Sequence, residues 1–244
     1  MMQEPPATSD RVLLKLSGEV LAGGSGHGID ASVLEGVSAP VLELSSQGCG
    51  IGIVVGGGNF IRGRDLASAG RITGDQMGML ATMINGLALR DALRTMGGAA
   101  AALSAIPVEG IFETFSPDLA CDYLDRGFVV IYVGGTGNPL LTTDTAAALR
   151  AVQTGCSRLL KGTKVDGVYD ADPESVPGAR KYATISYDQV LRSGLKVMDA
   201  AAVAICREAG LPISVFDVWK PENIVKVYRD PSLGSLIGGY EDDR

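Results

Sequence analysis

Short runs of apolar, mostly branched residues recur along the chain, separated by longer stretches in which apolar residues return at helical spacing. Uninterrupted apolar runs of this length are typical of strands that are buried on both faces. The predicted strands span residues 12–16, 51–55, 128–133, 159–161 and 213–216. Because strands that alternate with helices form parallel sheets, the pattern predicts an α/β fold, with a mostly parallel central sheet covered by helices on both faces.

Amphipathic helices are predicted over residues 31–47, 78–96, 145–153 and 200–208. Around the second, the apolar residues at helical spacing are Met77, Leu80, Ile84 and Leu87. Pro40 lies inside the first helix, and we expect it to kink or divide that helix because proline lacks a backbone N–H. Residues 142–144 offer N-caps to the third, and Gly210 and Pro212 follow the fourth as a common helix stop.

Residues 164–181 depart from the alternation of strands and helices. Their mixed polarity, with two glycines and two prolines, predicts a hairpin and loop and not a further βαβ unit. No stretch has the composition of a linker, so residues 11–244 are predicted to form one domain, with lobes at about 11–160 and about 161–238. Residues 1–10 are predicted to be a disordered tail.

Charge and composition narrow the classes of function. The net charge of −7 disfavours binding to nucleic acid, but local cations and backbone N–H groups can still hold a small phosphorylated ligand. The chain shows no signal segment and no uncharged apolar run of 18 residues, so we expect no membrane association and a cytoplasmic location. The four cysteines have no CxxC spacing, which argues against a zinc site or a disulfide framework. We expect them to be buried thiols.

The first predicted strand carries a lysine, Lys15, and is followed by Ser17 and Gly18. Burying an ammonium group is unfavourable unless a partner compensates it, and ligands of parallel sheets bind beyond the carboxyl ends of the strands. These residues therefore predict contact with a phosphate. The alternative is a lysine at a strand edge whose ammonium group reaches solvent.

The second predicted strand is followed by three consecutive glycines, residues 56–58. The backbone N–H groups of such a loop can surround an anion, and Arg62 can add a bidentate guanidinium group. A tight turn would explain one or two glycines. Three glycines together with the arginine favour ligand contact.

A third glycine-rich loop, residues 134–139, leads to Thr142, Thr143 and Asp144. Asp144 is either the N-cap of the next helix or a carboxylate that orients a lysine near a phosphate. Residues 161–173 place lysines, a tyrosine and carboxylates around a turn, which taken alone is also typical of a solvated hairpin. The loops match neither GxxxxGK[ST] nor GxGxxG, which disfavours a P-loop kinase and a dinucleotide reductase.

Together these segments resemble the amino-acid-kinase superfamily and, within it, the bacterial UMP kinases. The resemblance covers about residues 11–238. The motifs, in family order, are LLKLSGE at 13–19, GIDASVL at 28–34, VVGGGNFIRG at 54–63, GDQMGMLATMINGLALRDAL at 74–93, GTGNPLLTTD at 135–144, KGTKVDGVYDADP at 161–173 and LKVMDAAA at 195–202. The run from 74 to 93 separates UMP kinases from acetylglutamate, aspartate and carbamate kinases, which share the glycine loops. The implied fold is carbamate-kinase-like.

The resemblance implies reversible transfer of the ATP γ-phosphate to UMP, giving UDP and ADP in pyrimidine nucleotide (CTP) biosynthesis. The implied catalytic residues are Lys15, Arg62, Asp144, Lys161 and Asp199. The implied ATP-binding residues are Lys15, Leu16, Ser17, Gly18, Gly58, Arg62, Thr163, Tyr169 and Asp172. The implied UMP-binding residues are Gly57, Asp75, Thr136, Gly137, Asn138, Pro139, Leu140, Leu141, Thr142 and Thr143. Residues 11–160 would then be the acceptor lobe, and 161–238 the ATP lobe.

The resemblance also implies Mg²⁺ carried with ATP, no dedicated protein metal site and no organic cofactor. It implies a homohexamer activated by GTP and inhibited by UTP. The implied GTP segment comprises Gly23, Gly24, Ser25, Gly26, His27 and Gly28. Because the UMP phosphate is already an anionic nucleophile, no strong base is needed, and we do not expect His27 to be catalytic.

Two other functions remain open from the residues. One is a kinase that forms an acyl phosphate on a small carboxylate or carbamate. The other is a non-catalytic storage or sensor protein on the same fold, against which the presence of Lys15, Asp144, Lys161 and Asp199 argues.

Overall fold

The computed structural model describes residues 10–61 and 70–239, which contain eleven strands and eight α-helices. The strands are β1 (Arg11–Leu16), β2 (Gly50–Val55), β3 (Ala100–Ser104), β4 (Glu113–Thr114), β5 (Val129–Val133), β6 (Arg158–Thr163), β7 (Val168–Tyr169), β8 (Lys181–Tyr182), β9 (Thr184–Ile185), β10 (Ile213–Asp217) and β11 (Ser235–Ile237). The helices are α1 (Gly18–Leu21), α2 (Ala31–Ser46), α3 (Arg71–Thr95), α4 (Pro117–Asp125), α5 (Thr143–Gln153), α6 (Tyr187–Arg192), α7 (Ala200–Glu208) and α8 (Asn223–Arg229).

Nine of the described strands form one sheet in the order β4-β3-β5-β2-β1-β6-β10-β11-β9. All neighbours in it are parallel except β10 and β11, which are antiparallel. The five predicted strands are confirmed as β1, β2, β5, β6 and β10. The two edge strands, β4 and β9, have only two residues each.

The sheet separates two apolar cores, one on each face. One core packs β1 and β2 against α2, α3 and α8, through residues such as Leu14, Val41 and Leu89. The other packs the opposite face of the strands against α4, α5, α6 and α7, through residues such as Leu13 and Ala147. The predicted parallel sheet with helices on both faces is therefore confirmed.

Pro40 was expected to kink or divide α2, and the helix is continuous across it, so the proline does not divide the helix. Proline at this position removes a hydrogen bond to the carbonyl of Gly36 and crowds that residue. On the core side of the helix, Val37, Val41 and Leu44 are completely buried. This apolar burial outweighs the unfavourable local term and keeps the helix intact.

Helix α3 spans 25 residues and begins seven residues before the predicted start. The predicted apolar stripe does not face the core throughout, since Leu80 and Ile84 are about half exposed. The buried side instead includes Met83, Leu89 and Gly86, where an added Cβ would lie 2.2 Å from a methyl group of Val133. Glycine lets the helix pack directly on β5.

The alanine-rich strand β3 was not predicted, although all five of its residues are buried. Alanine has a low strand propensity, so pairing with β5 and burial within the sheet decide the conformation. The predicted hairpin within residues 164–181 is confirmed in outline, because β7 pairs antiparallel with β8 at the end of that segment.

No helix within residues 10–61 and 70–239 is long and apolar enough to cross a membrane. All four cysteines are free; Cys121 is partly exposed and the other three are buried, as expected.

Candidate active site

Two lysines lie side by side at the carboxyl ends of adjacent parallel strands. Lys15 of β1 is in register with Lys161 of β6, and both side chains are more than nine-tenths buried. Asp144, in the first turn of α5, lies between them: one carboxylate oxygen, Oδ1, is 2.6 Å from Lys15 Nζ and 2.5 Å from Lys161 Nζ. The alternative of a Lys15 that reaches solvent at a strand edge is therefore wrong. Asp144 is not the N-cap of α5, since Thr142 has that position.

The charges of this triad do not cancel. Burial would raise the pKa of Asp144, but attraction to the two ammonium groups outweighs it and holds that pKa below its ordinary value. Burial and repulsion by Lys15 lower the pKa of Lys161, against the opposing attraction of Asp144. Two cations share one carboxylate here, so the excess positive charge favours an anion such as a phosphate group.

The N-termini of α5 and α7 meet beside the triad. Asp199 caps α7 by accepting from the Ala202 N–H at 2.9 Å. Its carboxylate also accepts hydrogen bonds from the hydroxyls of Thr142 and Thr145. Asp199 therefore fixes the loop that precedes α5, whereas Asp144 contacts the lysines.

The first two glycine loops touch through their backbones. A Cβ on Gly18 would lie 2.5 Å from the Gly56 carbonyl oxygen, so a larger residue does not fit there. A Cβ on Gly57 would lie 2.8 Å from both the Ala81 Cβ and the Gly78 carbonyl oxygen. The triple glycine is thus required at least at Gly57 by its close approach to α3.

A cavity of about 590 Å³ opens beside these loops, within the range of about 300–1,000 Å³ that is usual for small-molecule sites. It lies between α3, the second glycine loop and the loop before α5. The lining residues are Gly57, Gly58, Ile61, Gly70, Arg71, Gly74, Asp75, Gly78, Met79, Thr82, Gly135, Thr136, Leu140, Leu141, Thr142 and Thr143.

Most residues predicted for the acceptor line this cavity. They are Gly57, Asp75, Thr136, Leu140, Leu141, Thr142 and Thr143. Three other predicted residues, Gly137, Asn138 and Pro139, belong to the same loop but are not among the lining residues. Gly58, predicted for the donor, also lines the cavity. The cavity therefore adjoins the second and third glycine loops and Thr143, which precedes Asp144 in the sequence.

These features agree with the comparison to known families. A profile of the amino acid kinase family matches residues 10–217, which is most of the chain. The chain belongs to the amino acid kinase family.

Full-length relatives support this membership. The chain is 46% identical over 246 residues to a uridylate kinase of Legionella pneumophila (strain Paris), covering 99% of this chain and 100% of that protein. It is 49% identical over 230 residues to a uridylate kinase of Psychrobacter sp. (strain PRwf-1), covering 93% and 95%.

The fold is also similar to solved structures. The UMP kinase from Bacillus anthracis aligns with a TM-score of 0.90 and 33% identity, covering 96% of this chain and 97% of that one. The UMP kinase from Ureaplasma parvum aligns with a TM-score of 0.90 and 36% identity, covering 96% and 100%.

In this member of the amino acid kinase family, the remaining predicted ATP residues within the described ranges are not among those that line the cavity. The hydroxyl of Thr163 donates to the Val165 carbonyl at 2.6 Å, and that of Tyr169 donates to Asp166 at 2.6 Å. Asp172 accepts from the Glu174 N–H at 3.0 Å within the loop after β7. Arg62 lies outside the described residues.

The predicted GTP segment, residues 23–28, includes a short 3-10 turn at Gly23–Ser25 and is largely exposed. His27 is exposed, and its ring contacts the edge of Phe60 with centroids 5.9 Å apart. Gly28 is tied to the second glycine loop by a hydrogen bond from its N–H to the Asn59 carbonyl at 3.1 Å.

Sequence reasoning missed several cavity residues of α3, including Arg71, Met79 and Thr82. Thr82 accepts from the Gly134 N–H at 2.9 Å and so joins the helix to the third glycine loop. Helical periodicity could have identified them, because positions 71, 78, 79 and 82 share one helical face with Asp75. In the described part of the chain, no three His, Cys, Asp or Glu side chains are grouped as metal ligands.

Proposed function

We propose that this protein is a uridylate kinase, which transfers the γ-phosphoryl group of ATP to UMP and forms ADP and UDP. The observation that carries the proposal is that the predicted UMP loop lines the cavity up to Thr143, and the next residue, Asp144, holds the buried pair Lys15 and Lys161. Nearly full-length similarity to proteins named uridylate kinase supports it. The reaction is reversible and belongs to pyrimidine nucleotide biosynthesis.

The cavity is the proposed UMP site. Asp75, Gly57 and residues of the loop 135–143 line it, and the Asp75 carboxylate accepts a hydrogen bond from the Leu140 N–H of that loop. The donor phosphates would lie on the other side of the second glycine loop, against Lys15, Ser17, Gly18 and Gly58. The adenine end of ATP would reach the hairpin lobe, where Thr163, Tyr169 and Asp172 are located.

Phosphoryl transfer depends mainly on positioning and on stabilising charge on the transferred group. Lys15 and Lys161 supply two ammonium groups at one buried point, and Asp144 holds both in place. Arg62 is proposed as a further cation for the transferred group. No general base is required, since a phosphate oxygen of UMP is the nucleophile. Mg²⁺ carried with ATP would neutralise charge on the phosphate oxygens.

Asp199 is proposed to act through the loop that it holds. By accepting from Thr142 and Thr145, it fixes the end of the UMP loop relative to α5. The same helix carries Asp144 in its first turn. Asp199 therefore links the acceptor position to the lysine pair.

We further propose that the enzyme is a cytoplasmic homohexamer that GTP activates through residues 23–28 and UTP inhibits. The exposed apolar residues Ile72, Leu80 and Ile84 on α3 support self-association, because exposed apolar patches of this kind commonly mark interfaces. Light scattering with and without GTP, alongside rate measurements with GTP and UTP, tests this proposal. A monomer whose rate ignores both nucleotides would contradict it.

An acceptor panel tests the reaction itself. Protein is incubated with ATP–Mg²⁺ and, separately, UMP, CMP, acetylglutamate or carbamate, while ADP and phosphorylated product are measured. We expect turnover with UMP alone. Turnover only on a carboxylate or carbamate would instead support an acyl-phosphate kinase, and UMP binding without transfer would support a storage or sensor protein.

A pair of lysine variants links the activity to this site. Lys15→Met removes a buried ammonium group and should lower kcat by about 10²-fold or more. The matched control is Lys164→Met, since Lys164 is exposed and pairs with Glu19 at the surface. The kcat of Lys164→Met should stay close to that of the parent protein. Equal rates for the two variants would contradict the assignment of Lys15.

A further inference from the structure

Two buried asparagines form a reciprocal amide pair behind the glycine loops. Asn59 follows the triple glycine and Asn85 lies in the middle of α3, and both are at most 1% exposed. Asn59 Nδ2 donates to Asn85 Oδ1 at 2.9 Å, and Asn85 Nδ2 donates to Asn59 Oδ1 at 2.7 Å. Asparagine is an unfavourable residue inside a helix, and a buried amide is tolerated only when it is hydrogen-bonded. Helix stability therefore does not account for this pair.

Each amide also donates a second hydrogen bond to a loop. Asn85 Nδ2 donates to the Gly56 carbonyl at 2.7 Å, at the start of the second glycine loop. Asn59 Nδ2 donates to the Gly28 carbonyl at 2.7 Å. All four amide hydrogens are thus used, and the pair ties α3 to two separate loops.

The pair also borders the first glycine loop. A Cβ on Gly18 would lie 2.6 Å from Asn59 Oδ1, so the loop after β1 packs directly against this amide. Three loops, at residues 18, 28 and 56, therefore converge on two side chains. Neither asparagine lines the cavity.

We propose that Asn59 and Asn85 are positioning residues that set the distance between the loop after β1, proposed to bind the donor phosphates, and the second glycine loop, whose Gly57 lines the proposed UMP site. The inference rests on the proposed kinase function. Glycine loops have little conformational preference of their own, so something outside them must fix their separation. In-line transfer is sensitive to that separation, because a misplacement of about 1 Å can lower a rate about 10²-fold.

The test compares kcat with nucleotide affinity in two isosteric variants, Asn59→Asp and Asn85→Asp. Each replaces an amide donor by a carboxylate that can only accept when ionised. We expect kcat for UMP phosphorylation to fall at least about 10-fold. The dissociation constants of UMP and of a non-hydrolysable ATP analogue, measured separately, should change less than about 3-fold, because each loop can still bind its own ligand.

A second readout detects misalignment directly. When donor and acceptor are held out of line, water competes for the transferred group, and more ADP is formed per UDP. Both variants should therefore raise the ratio of ADP to UDP. Loss of stability alone would leave this ratio unchanged in the folded fraction.

The matched control is Leu93→Ala on the same helix. Leu93 is completely buried near the other end of α3, so this variant lowers the melting temperature without touching the loops. Its kcat per folded molecule and its ADP-to-UDP ratio should match those of the parent. If the asparagine variants fail to fold, Asn59→Ser, which retains a hydroxyl donor, is measured in the same way.

The outcomes separate the two proposals. If the parent protein phosphorylates UMP and the asparagine variants keep kcat within about 3-fold, the positioning proposal is overturned alone. It is likewise overturned if kcat per folded molecule falls by the same factor in the asparagine variants and in Leu93→Ala. If the parent transfers phosphate to another acceptor but not to UMP, the proposed function fails, and the asparagine comparison is made with that acceptor. If the parent transfers phosphate to no acceptor, both proposals fall.

Discussion

The carboxylate of Asp75, in the second turn of α3, accepts a hydrogen bond at 2.8 Å from the backbone N–H of Leu140. Leu140 has a φ of 70° and is the one non-glycine residue with positive φ in the described ranges. That conformation costs a leucine about 1–2 kcal/mol. Both residues line the cavity, so strain is held at the acceptor site by a contact between helix and loop.

Replacing Leu140 by glycine should separate strain from function. Leu140→Gly relieves the unfavourable φ, and the free energy of unfolding should rise by up to about 1 kcal/mol after the entropy of glycine is counted. The looser loop should raise the KM for UMP several-fold. Urea denaturation and steady-state kinetics measure the two effects. The neighbouring Leu141→Gly, where φ is not positive, should instead destabilise, and destabilisation by Leu140→Gly would contradict the assignment of strain.

Asp144 should be important for stability as well as activity. Asp144→Asn leaves two buried ammonium groups without a carboxylate, which should lower the free energy of unfolding by about 3–5 kcal/mol. Adding Lys15→Met removes one of those charges and should restore part of the stability but none of the activity. Denaturant unfolding of the single and double variants gives both values.

A surface carboxylate provides the control for Asp144. Asp166 is 57% exposed on its side chain and pairs with Lys181, so Asp166→Asn should change stability by less than about 1 kcal/mol. A comparable loss of stability in Asp144→Asn and Asp166→Asn would mean that burial of the triad does not increase the cost of removing its carboxylate.

The lysine pair predicts an alkaline limit on activity below the ordinary lysine range. Since burial and Lys15 lower the pKa of Lys161, its ammonium group is lost before pH reaches the usual value of about 10.4. The pH profile of kcat/KM reports ionisations of the free enzyme. We expect kcat/KM to fall between the lowered pKa of Lys161 and the ordinary lysine value. Lys161→Arg keeps its charge and should move the fall to higher pH. If the pH profile of Lys161→Arg is unchanged, the alkaline fall in kcat/KM belongs to another group.

The same shift predicts an opposite trend in stability. Between the lowered pKa of folded Lys161 and the ordinary value, the unfolded chain binds more protons than the folded one. The contribution of this group to stability therefore rises with pH across that interval. Chemical denaturation at several alkaline pH values, with the Lys161→Met variant as the reference, measures it.

Gly57→Ala should disturb the acceptor site through packing. The new Cβ would lie 2.8 Å from the Ala81 Cβ and from the Gly78 carbonyl, so loop and helix must separate. We expect a higher KM for UMP and a lower melting temperature. Gly36→Ala is the control, because its Cβ meets only Pro221 at 3.6 Å in the interior of α2. It should stabilise the protein by up to about 1 kcal/mol, and similar behaviour of the two variants would refute the packing argument.

The parallel sheet and its glycine loops were predictable because their signals are local. Apolar runs identified β1, β2, β5, β6 and β10, and the residues after three of these strands marked the loops. Pro40 does not divide α2, because burial of Pro40 itself and of Val37, Val41 and Leu44 outweighs the local propensity. Strand β3 was missed because its alanines carry no strand preference.

Long-range contacts were beyond sequence reasoning. That Lys15 and Lys161 share Asp144 depends on the register of β1 with β6, which no local pattern contains. The amide pair of Asn59 and Asn85 likewise joins residues 26 positions apart. Without the resemblance to a known family, the residues alone support phosphate binding but do not identify the acceptor.

The register between β1 and β6 has a consequence for folding. Lys15 stands directly opposite Lys161, and sliding one strand by a single residue would turn its lysine to the other face of the sheet, away from Asp144. An ammonium group buried there without a carboxylate is strongly unfavourable. A leucine directly precedes each lysine, so a slip of one residue would put an apolar side chain where the lysine stood. Apolar packing alone therefore opposes the slip less than the lysines do. The charged triad therefore favours the native alignment of β1 and β6 over a slip of one residue.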